Sequence, residues 1–433
     1  MKFFIDSKIQ SSLFRNFSLQ FFFWCVFSPG FFSSDSFTVL ESIQNREIDN
    51  NYTSAWSIYV KIFTFNGEFV GLITLMNSLI LVYSLTQIGY SLFKPKIAAI
   101  STLSLTSTPL IFATGITLWH DILMSSGLIL ITSFFIRFTQ NPKGYYPRIW
   151  LELIPGSILT IFRPNGLPTL ILFSLCVIAF FYYHKRPLIK TCLYLIIFTL
   201  TVNLFFILLS SIYTSTPPIN RYFALEWMRN DISCYVSTSK GSRFIENSAP
   251  QIGNSELWKS KEACTFLNKS QYVSGENLGM EPMIPKVWLE LFSKDWTFII
   301  STHSRRNAYL IPVPIFGIPK VPFIHSTIEF KNQGIVWNFE KLAESARPII
   351  RFWNYARGLF AWSGLWLMVV IIGLLASRKV EYWIVLFTML SLSFILFIVS
   401  PIPDGRYVLV VLILGQLIFL GEVINRLSKR IRR

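Results

Sequence analysis

Residues 17–36 read FSLQFFFWCVFSPGFFSSDS. The run is apolar and aromatic through Phe27, stops at Pro29-Gly30, and passes into a Ser/Asp cluster around Asp35. Lys2, Lys8 and Arg15 precede it. A basic leader before an apolar core also describes a signal peptide. Phe21, Phe22, Phe23 and Trp24, with no clear Ala-x-Ala site after them, favour a retained helix. The chain therefore enters a bilayer at its first apolar run, and the rest is read for further spans.

The composition agrees. The chain has 433 residues, of which 52% are hydrophobic and 14% charged, with a mean hydropathy of +0.49. Soluble domains are nearer one quarter charged. An ordinary soluble enzyme, a disordered tail and a small disulfide scaffold are excluded. A span needs about 20 apolar residues, because irregular backbone is not satisfied in hydrocarbon. Candidates lie near 17–33, 69–91, 97–118, 122–137, 149–162, 167–183, 191–211, 358–376, 380–399 and 407–425. The fifth is short and contains Pro155 and Gly156. The expected fold is an all-α polytopic membrane protein of about ten transmembrane helices.

The formal net charge is +16. With the N-terminus inside, segments 1–16, 92–96, 137–148, 184–190, 377–379 and 426–433 hold 18 Lys plus Arg. The short outer segments hold Arg46, Lys61, Arg163 and Arg406. The other 17 lie in 212–357, and a long loop translocates largely regardless of its charge. The basic excess thus faces an inner leaflet of anionic lipid, and nucleic acid is not expected as a partner. Both termini are expected in the cytoplasm of a bacterial plasma membrane. In the endoplasmic reticulum, Asn51-Tyr52-Thr53 and Asn268-Lys269-Ser270 would instead be glycosylation acceptors.

Three regions follow. Residues 1–211 hold seven spans and a first outer loop at 34–68; 358–433 hold three spans and a basic tail. Between them, 212–357 has soluble composition and is expected to form a small mixed α/β extracytoplasmic domain. In it Trp288, Leu291, Phe292, Trp296 and Ile299 recur at helical spacing and would form one apolar face. Cys25, Cys176 and Cys192 fall in spans as small apolar residues. Cys234 and Cys264 are either two thiols or a disulfide that stabilises the loop by about 3 kcal/mol.

The charged residues nearest the spans collect on the outer side. They are Asp35 after the first span, Asp121 in Trp119-His120-Asp121, Arg163 in Arg163-Pro164-Asn165-Gly166, and Arg406 in Gly405-Arg406-Tyr407. Ionisable groups near membrane depth are functional hypotheses by default. Each also has a plain reading. Asp35 and Asp121 would cap helices, Arg163 would snorkel to the interface, and Tyr407 would anchor there. With His120 the one histidine near these residues, a His-rich zinc site is not expected. After Asp35, Trp56, Tyr59 or Val60, and Phe63 recur at helical spacing, as in a helix lying in the interface.

These patches resemble the GT-C superfamily of integral-membrane glycosyltransferases. The match rests on Ser34-Asp35-Ser36 in the first outer loop, His120-Asp121-Ile122-Leu123 at the second outer turn, Arg163-Pro164-Asn165-Gly166 at the third and Gly405-Arg406-Tyr407 before the last span. Asp35 stands alone where relatives carry an acidic pair, His120 replaces their Lys, and their His-Pro after the loop is absent.

The resemblance implies inverting transfer of a sugar from a polyprenyl-phosphate donor to a glycan, lipid or protein acceptor on the extracytoplasmic face. Asp35 would be the general base. Asp121 would orient an arginine, contact the sugar, or hold a divalent Mg or Mn ion with Asp35. Arg163, Asn165, Arg406, Tyr407 and His120 would bind the sugar and phosphate. Two rival classes use other residues. A flippase or transporter of lipid-linked saccharide would use a polar mid-membrane residue such as Glu152. A polysaccharide polymerase or ligase would use arginines of the large loop, such as Arg305 and Arg306.

Overall fold

A computed structural model of the chain describes residues 7–32, 34–45, 53–141, 149–183, 189–213, 226–238, 283–307, 310, 362–399 and 405–431. Every regular element among them is a helix, and the only β pairing among the described residues is an isolated parallel bridge between Phe31 and Thr117. We number the α-helices in chain order: α1 Ser7–Phe27, α2 Ser34–Gln44, α3 Ser54–Phe63, α4 Val70–Leu92, α5 Pro95–Thr106, α6 Pro109–Gly115 and α7 His120–Gln140. A π-turn at Ile149–Leu153 leads into α8 Ile154–Thr160, followed by α9 Gly166–Tyr183 and α10 Ile189–Tyr213. The intervening segment gives α11 Glu226–Val236, α12 Ile284–Lys294 and α13 Trp296–Arg306. The chain then returns through α14 Ser363–Ser377, α15 Val380–Val399, a 3-10 turn at Gly405–Val408 and α16 Leu409–Ile431.

Helices α4, α7, α10, α15 and the turn-plus-α16 unit are long and apolar enough to cross a membrane. The pair α5–α6, bent by 63°, adds a sixth if it is one broken span. Three shorter apolar helices lie at Ile149–Thr160, Gly166–Tyr182 and Ser363–Ser377. This is the architecture of a helical membrane protein. A count of ten requires α1 and these shorter helices to cross as well.

Helix α7 is the hub, surrounded along nearly all its length. It reaches its neighbours because small residues face them. A Cβ on Gly127 would lie 2.6 Å from the Gly156 carbonyl, so α7 and α8 touch backbone to backbone. Helix α10 is the opposite case. Its Leu193, Tyr194, Ile197, Leu200, Leu204 and Leu208 are exposed, as suits a helix in hydrocarbon.

The first span differs from its expected range of 17–33. Helix α1 extends upstream of that range, from Ser7, and polar residues along it are buried and paired. The Asn16 amide donates to Thr86 Oγ1 (3.0 Å) and Thr102 Oγ1 (3.2 Å), the Gln20 amide donates to the Phe112 carbonyl (3.3 Å), and Ser12 meets the Tyr90 hydroxyl at 2.6 Å. The helix ends at Phe27, ahead of Pro29.

The described part of 212–357 is helical; the expected strands would fall on residues outside it. The single apolar face read across Trp288–Ile299 is two helices. The Asp295 carboxylate accepts from Phe298 N (3.1 Å) and starts α13 where α12 has stopped. The buried face is Ile284, Val287, Leu291 and Ile299, while Phe292 and Trp296 are exposed. This unit rests on α15. His303 Nε2 pairs with Asp231 Oδ2 (2.8 Å) and its Nδ1 meets the Phe397 carbonyl (2.7 Å). Cys234 is disulfide-bonded, Cys25, Cys176 and Cys192 are free, and Cys264 lies outside the described residues.

Candidate functional site

The site is assembled from the outer turns by main-chain pairing. After α1 the chain turns at Gly30, whose φ of +117° is open to glycine. A Cβ there would lie 2.4 Å from the Ile116 carbonyl. That closeness lets Phe31 N donate to Ile116 O (3.0 Å) and Leu118 N donate to Phe31 O (3.0 Å). The Ser36 hydroxyl donates to the Leu118 carbonyl (2.9 Å). The first outer loop is thereby fixed to the second outer turn, and Asp35 to the neighbourhood of Asp121.

The third turn joins in the same way. The Thr53 hydroxyl donates to the Phe162 carbonyl (2.8 Å) and accepts from Trp56 N (3.4 Å), capping α3 while holding it against Arg163's neighbour. Gly166 N donates to Arg163 O (3.0 Å), and Thr169 N donates to Asn165 O (3.1 Å). Asn165 thus holds the turn through its carbonyl, at the N-terminal end of α9. The fourth contribution is the 3-10 turn, which carries Arg406 and Tyr407.

The side chains then meet. Asp121 is 0% exposed and forms an ion pair with Arg163. Arg406 stands between the two carboxylates, with Nη1 at 2.5 Å from Asp35 Oδ2 and Nε at 3.9 Å from Asp121 Oδ2. The Arg163 guanidinium lies 3.9 Å over the Tyr407 ring. Arg406 lies 5.3 Å from that ring and 5.4 Å from Trp119. His120 Nε2 is 4.0 Å from Asp121 Oδ2, and its ring sits 5.9 Å from that of Trp56. Six of the seven residues expected to act together are therefore one cluster; the Asn165 side chain is half-buried and joins through backbone.

The two carboxylates are unlike. Asp35 is 34% exposed, while Asp121 is enclosed. Neither is an N-cap: Trp119 holds that position of α7, without a side-chain bond, and Asp35 lies inside the first turn of α2, where a negative charge suits the helix dipole. Arg163 is buried, so it does not snorkel. Helix α3 turns the apolar face read from its spacing inward. Its Trp56, Tyr59 and Val60 are buried against the bundle, and Ile62 is the exposed residue. The Tyr59 hydroxyl donates to Asn77 Oδ1 (3.1 Å), and burial pushes its phenol up. Sequence reading missed Trp119, Trp56 and Thr53 as partners. Trp119 stood in the second-turn motif and could have been found as an aromatic beside the charge cluster.

Where Asp35 and Asp121 would share a divalent ion, the Arg406 guanidinium stands between them. No three His, Cys, Asp or Glu side chains converge among the described residues. Glu152, the transporter candidate, is buried but pairs with Arg137 (3.2 Å) near the other end of α7. Of the ligase candidates, Arg305 is exposed on α13, and the Arg306 side chain lies outside the described set. No family model, curated protein or solved structure matches the chain.

Proposed function

We propose that the chain is an inverting membrane glycosyltransferase that moves a sugar from a polyprenyl-phosphate donor to an acceptor on the extracytoplasmic face. One observation carries the reading. Two acids and two arginines from four turns meet at one end of an apolar bundle, and one acid alone is open to solvent. A lipid-linked donor keeps its chain in the bilayer and presents its phosphate at that level.

In this reading the donor phosphate takes Arg406, and with it Arg163, through charge-assisted hydrogen bonds. Phosphate binding competes with Asp35 for Arg406 and frees the carboxylate. Asp35 then accepts the proton of the acceptor hydroxyl as that oxygen attacks the anomeric carbon. The bond from that carbon to the phosphate oxygen breaks, its electron pair stays with polyprenyl phosphate, and the arginines stabilise the charge. Enclosed Asp121 positions Arg163 and Arg406 and is not itself the base. Tyr407 and Trp119 hold the guanidinium planes by stacking, and His120 lines the sugar side. No step needs a metal. The membrane is the bacterial plasma membrane, with both termini cytoplasmic and 212–357 outside. The disulfide of Cys234 suits that compartment, and Cys264 is its proposed partner.

The test is donor consumption by membranes containing the protein, offered a panel of labelled polyprenyl-phosphate sugars with host lysate as acceptor source. The expected outcome is release from one donor that is lost in Asp35→Asn. Release that survives in Asp35→Asn would remove Asp35 as the base, and no release across the panel with inserted protein would count against the enzyme.

A further inference from the structure

At the bundle end opposite the acid–arginine cluster, α1 and α5 begin side by side against the last turns of α4. Between them is a cleft of about 540 Å³. Three cations line it: Lys8 and Arg15 from α1, and Lys96 from α5. Ser7 and Ser11 add hydroxyls, and Tyr90 is also part of the lining. Ser7, Ser11 and Arg15 are spaced by four residues, so they share one face of α1. No Asp or Glu is among the described residues lining the cleft; Asp6, nearest in sequence, lies outside the described residues.

The local geometry suits an anion. Arg15 is held by Ser12 (3.1 Å), Ser12 by the Tyr90 hydroxyl (2.6 Å), and that hydroxyl donates to the Lys8 carbonyl (3.0 Å). The basic wall is therefore braced from behind. Helix α5 opens with Pro95 beside the cleft and has no side-chain cap at Lys94. Three cations with serine hydroxyls beside them are donors suited to a phosphate. On the bilayer side the wall turns apolar through Ala99 and Ile100, and Phe14 of α1 is exposed nearby in sequence.

We propose that this cleft binds the phosphate head group of an acidic phospholipid of the inner leaflet, with an acyl chain along Ile100. The charge bias already assigns this end to the inner side. A basic cleft between spans at that level recognises anionic head groups. The proposal is independent of what the opposite end of the bundle does.

The full chain is reconstituted in phosphatidylcholine vesicles carrying a trace of spin-labelled phosphatidylglycerol or spin-labelled phosphatidylcholine. The expected result is selective immobilisation of the phosphatidylglycerol label. The combined Lys8→Gln, Arg15→Gln and Lys96→Gln variant lowers that affinity on the order of 100-fold, and each single change about fivefold. If the combined variant does not accumulate, the single variants at Arg15 and Lys96, both exposed, give the same reading. Equal immobilisation of both labels by the native protein, or undiminished selectivity in the variants, would overturn the proposal. Displacement of the label by inorganic phosphate at the concentration of the lipid would also overturn it, reassigning the cleft to a soluble anion.

Discussion

Helix α7 carries a buried ion pair at each end, and the two differ in what surrounds them. At its C-terminal end Arg137 meets Glu152 at 3.2 Å, and its Nη2 donates to the Gln87 carbonyl (2.9 Å) and side chain (3.0 Å). At its N-terminal end Asp121 meets Arg163, but Arg406 continues outward from it to Asp35, which is one-third exposed. The first pair is closed by an amide and joins two helix segments. The second has an excess of donors, aromatic faces behind them and an opening. The same chemistry is thus enclosed at one end and reaches a partly exposed carboxylate at the other.

The largest effect expected from breaking this contrast is on stability. Glu152→Ala leaves the partly buried Arg137 without its carboxylate and destabilises by about 3 kcal/mol. Thermal unfolding in detergent reads the loss; a variant that unfolds at the native temperature would make this pair dispensable. At the other end, Arg406→Lys keeps the charge and loses the planar fork. Turnover is expected to fall about 10²–10³-fold, or roughly 3–4 kcal/mol of transition-state stabilisation, with unfolding little changed. Equal turnover would detach Arg406 from the chemistry.

Smaller effects test how the outer turns are joined. Gly30→Ala puts a Cβ against the Ile116 carbonyl at positive φ and is expected to cost about 1–3 kcal/mol. Because the strain falls on the link between Asp35 and Asp121, turnover should drop alongside the unfolding temperature. Thr53→Val removes the cap of α3 and its bond to Phe162, costing about 1 kcal/mol. Unfolding curves of Thr53→Ser should be close to native, since the hydroxyl is retained.

Much of the arrangement is legible in the chain itself, for particular reasons. Helices α4, α7 and α15 announce themselves because long apolar runs have few folds available in lipid. The four outer charges could be grouped before their geometry was known, because alternate turns of a spanning bundle share one side. What sequence did not give was partner choice. Arg137 and Glu152 lie on different elements, and their contact depends on the π-turn that leads into α8 and carries Glu152. The part of α1 upstream of Phe17 was hidden because Ser12 and Asn16 look unsuited to a span until their partners on α4 and α5 are known. For helix α3, spacing reveals an apolar face but not what covers it. The roles of Asp35 and Asp121 separate only by burial, which no motif encodes.

The most direct test compares donor consumption in membranes carrying Asp35→Asn with membranes carrying the charge-free pair Arg137→Met with Glu152→Leu. The expected result is loss of consumption in the first, at normal protein levels, and retention per inserted molecule in the second. Consumption that persists in Asp35→Asn and vanishes with the Arg137–Glu152 pair would contradict the assignment and move the working site to the opposite end of α7.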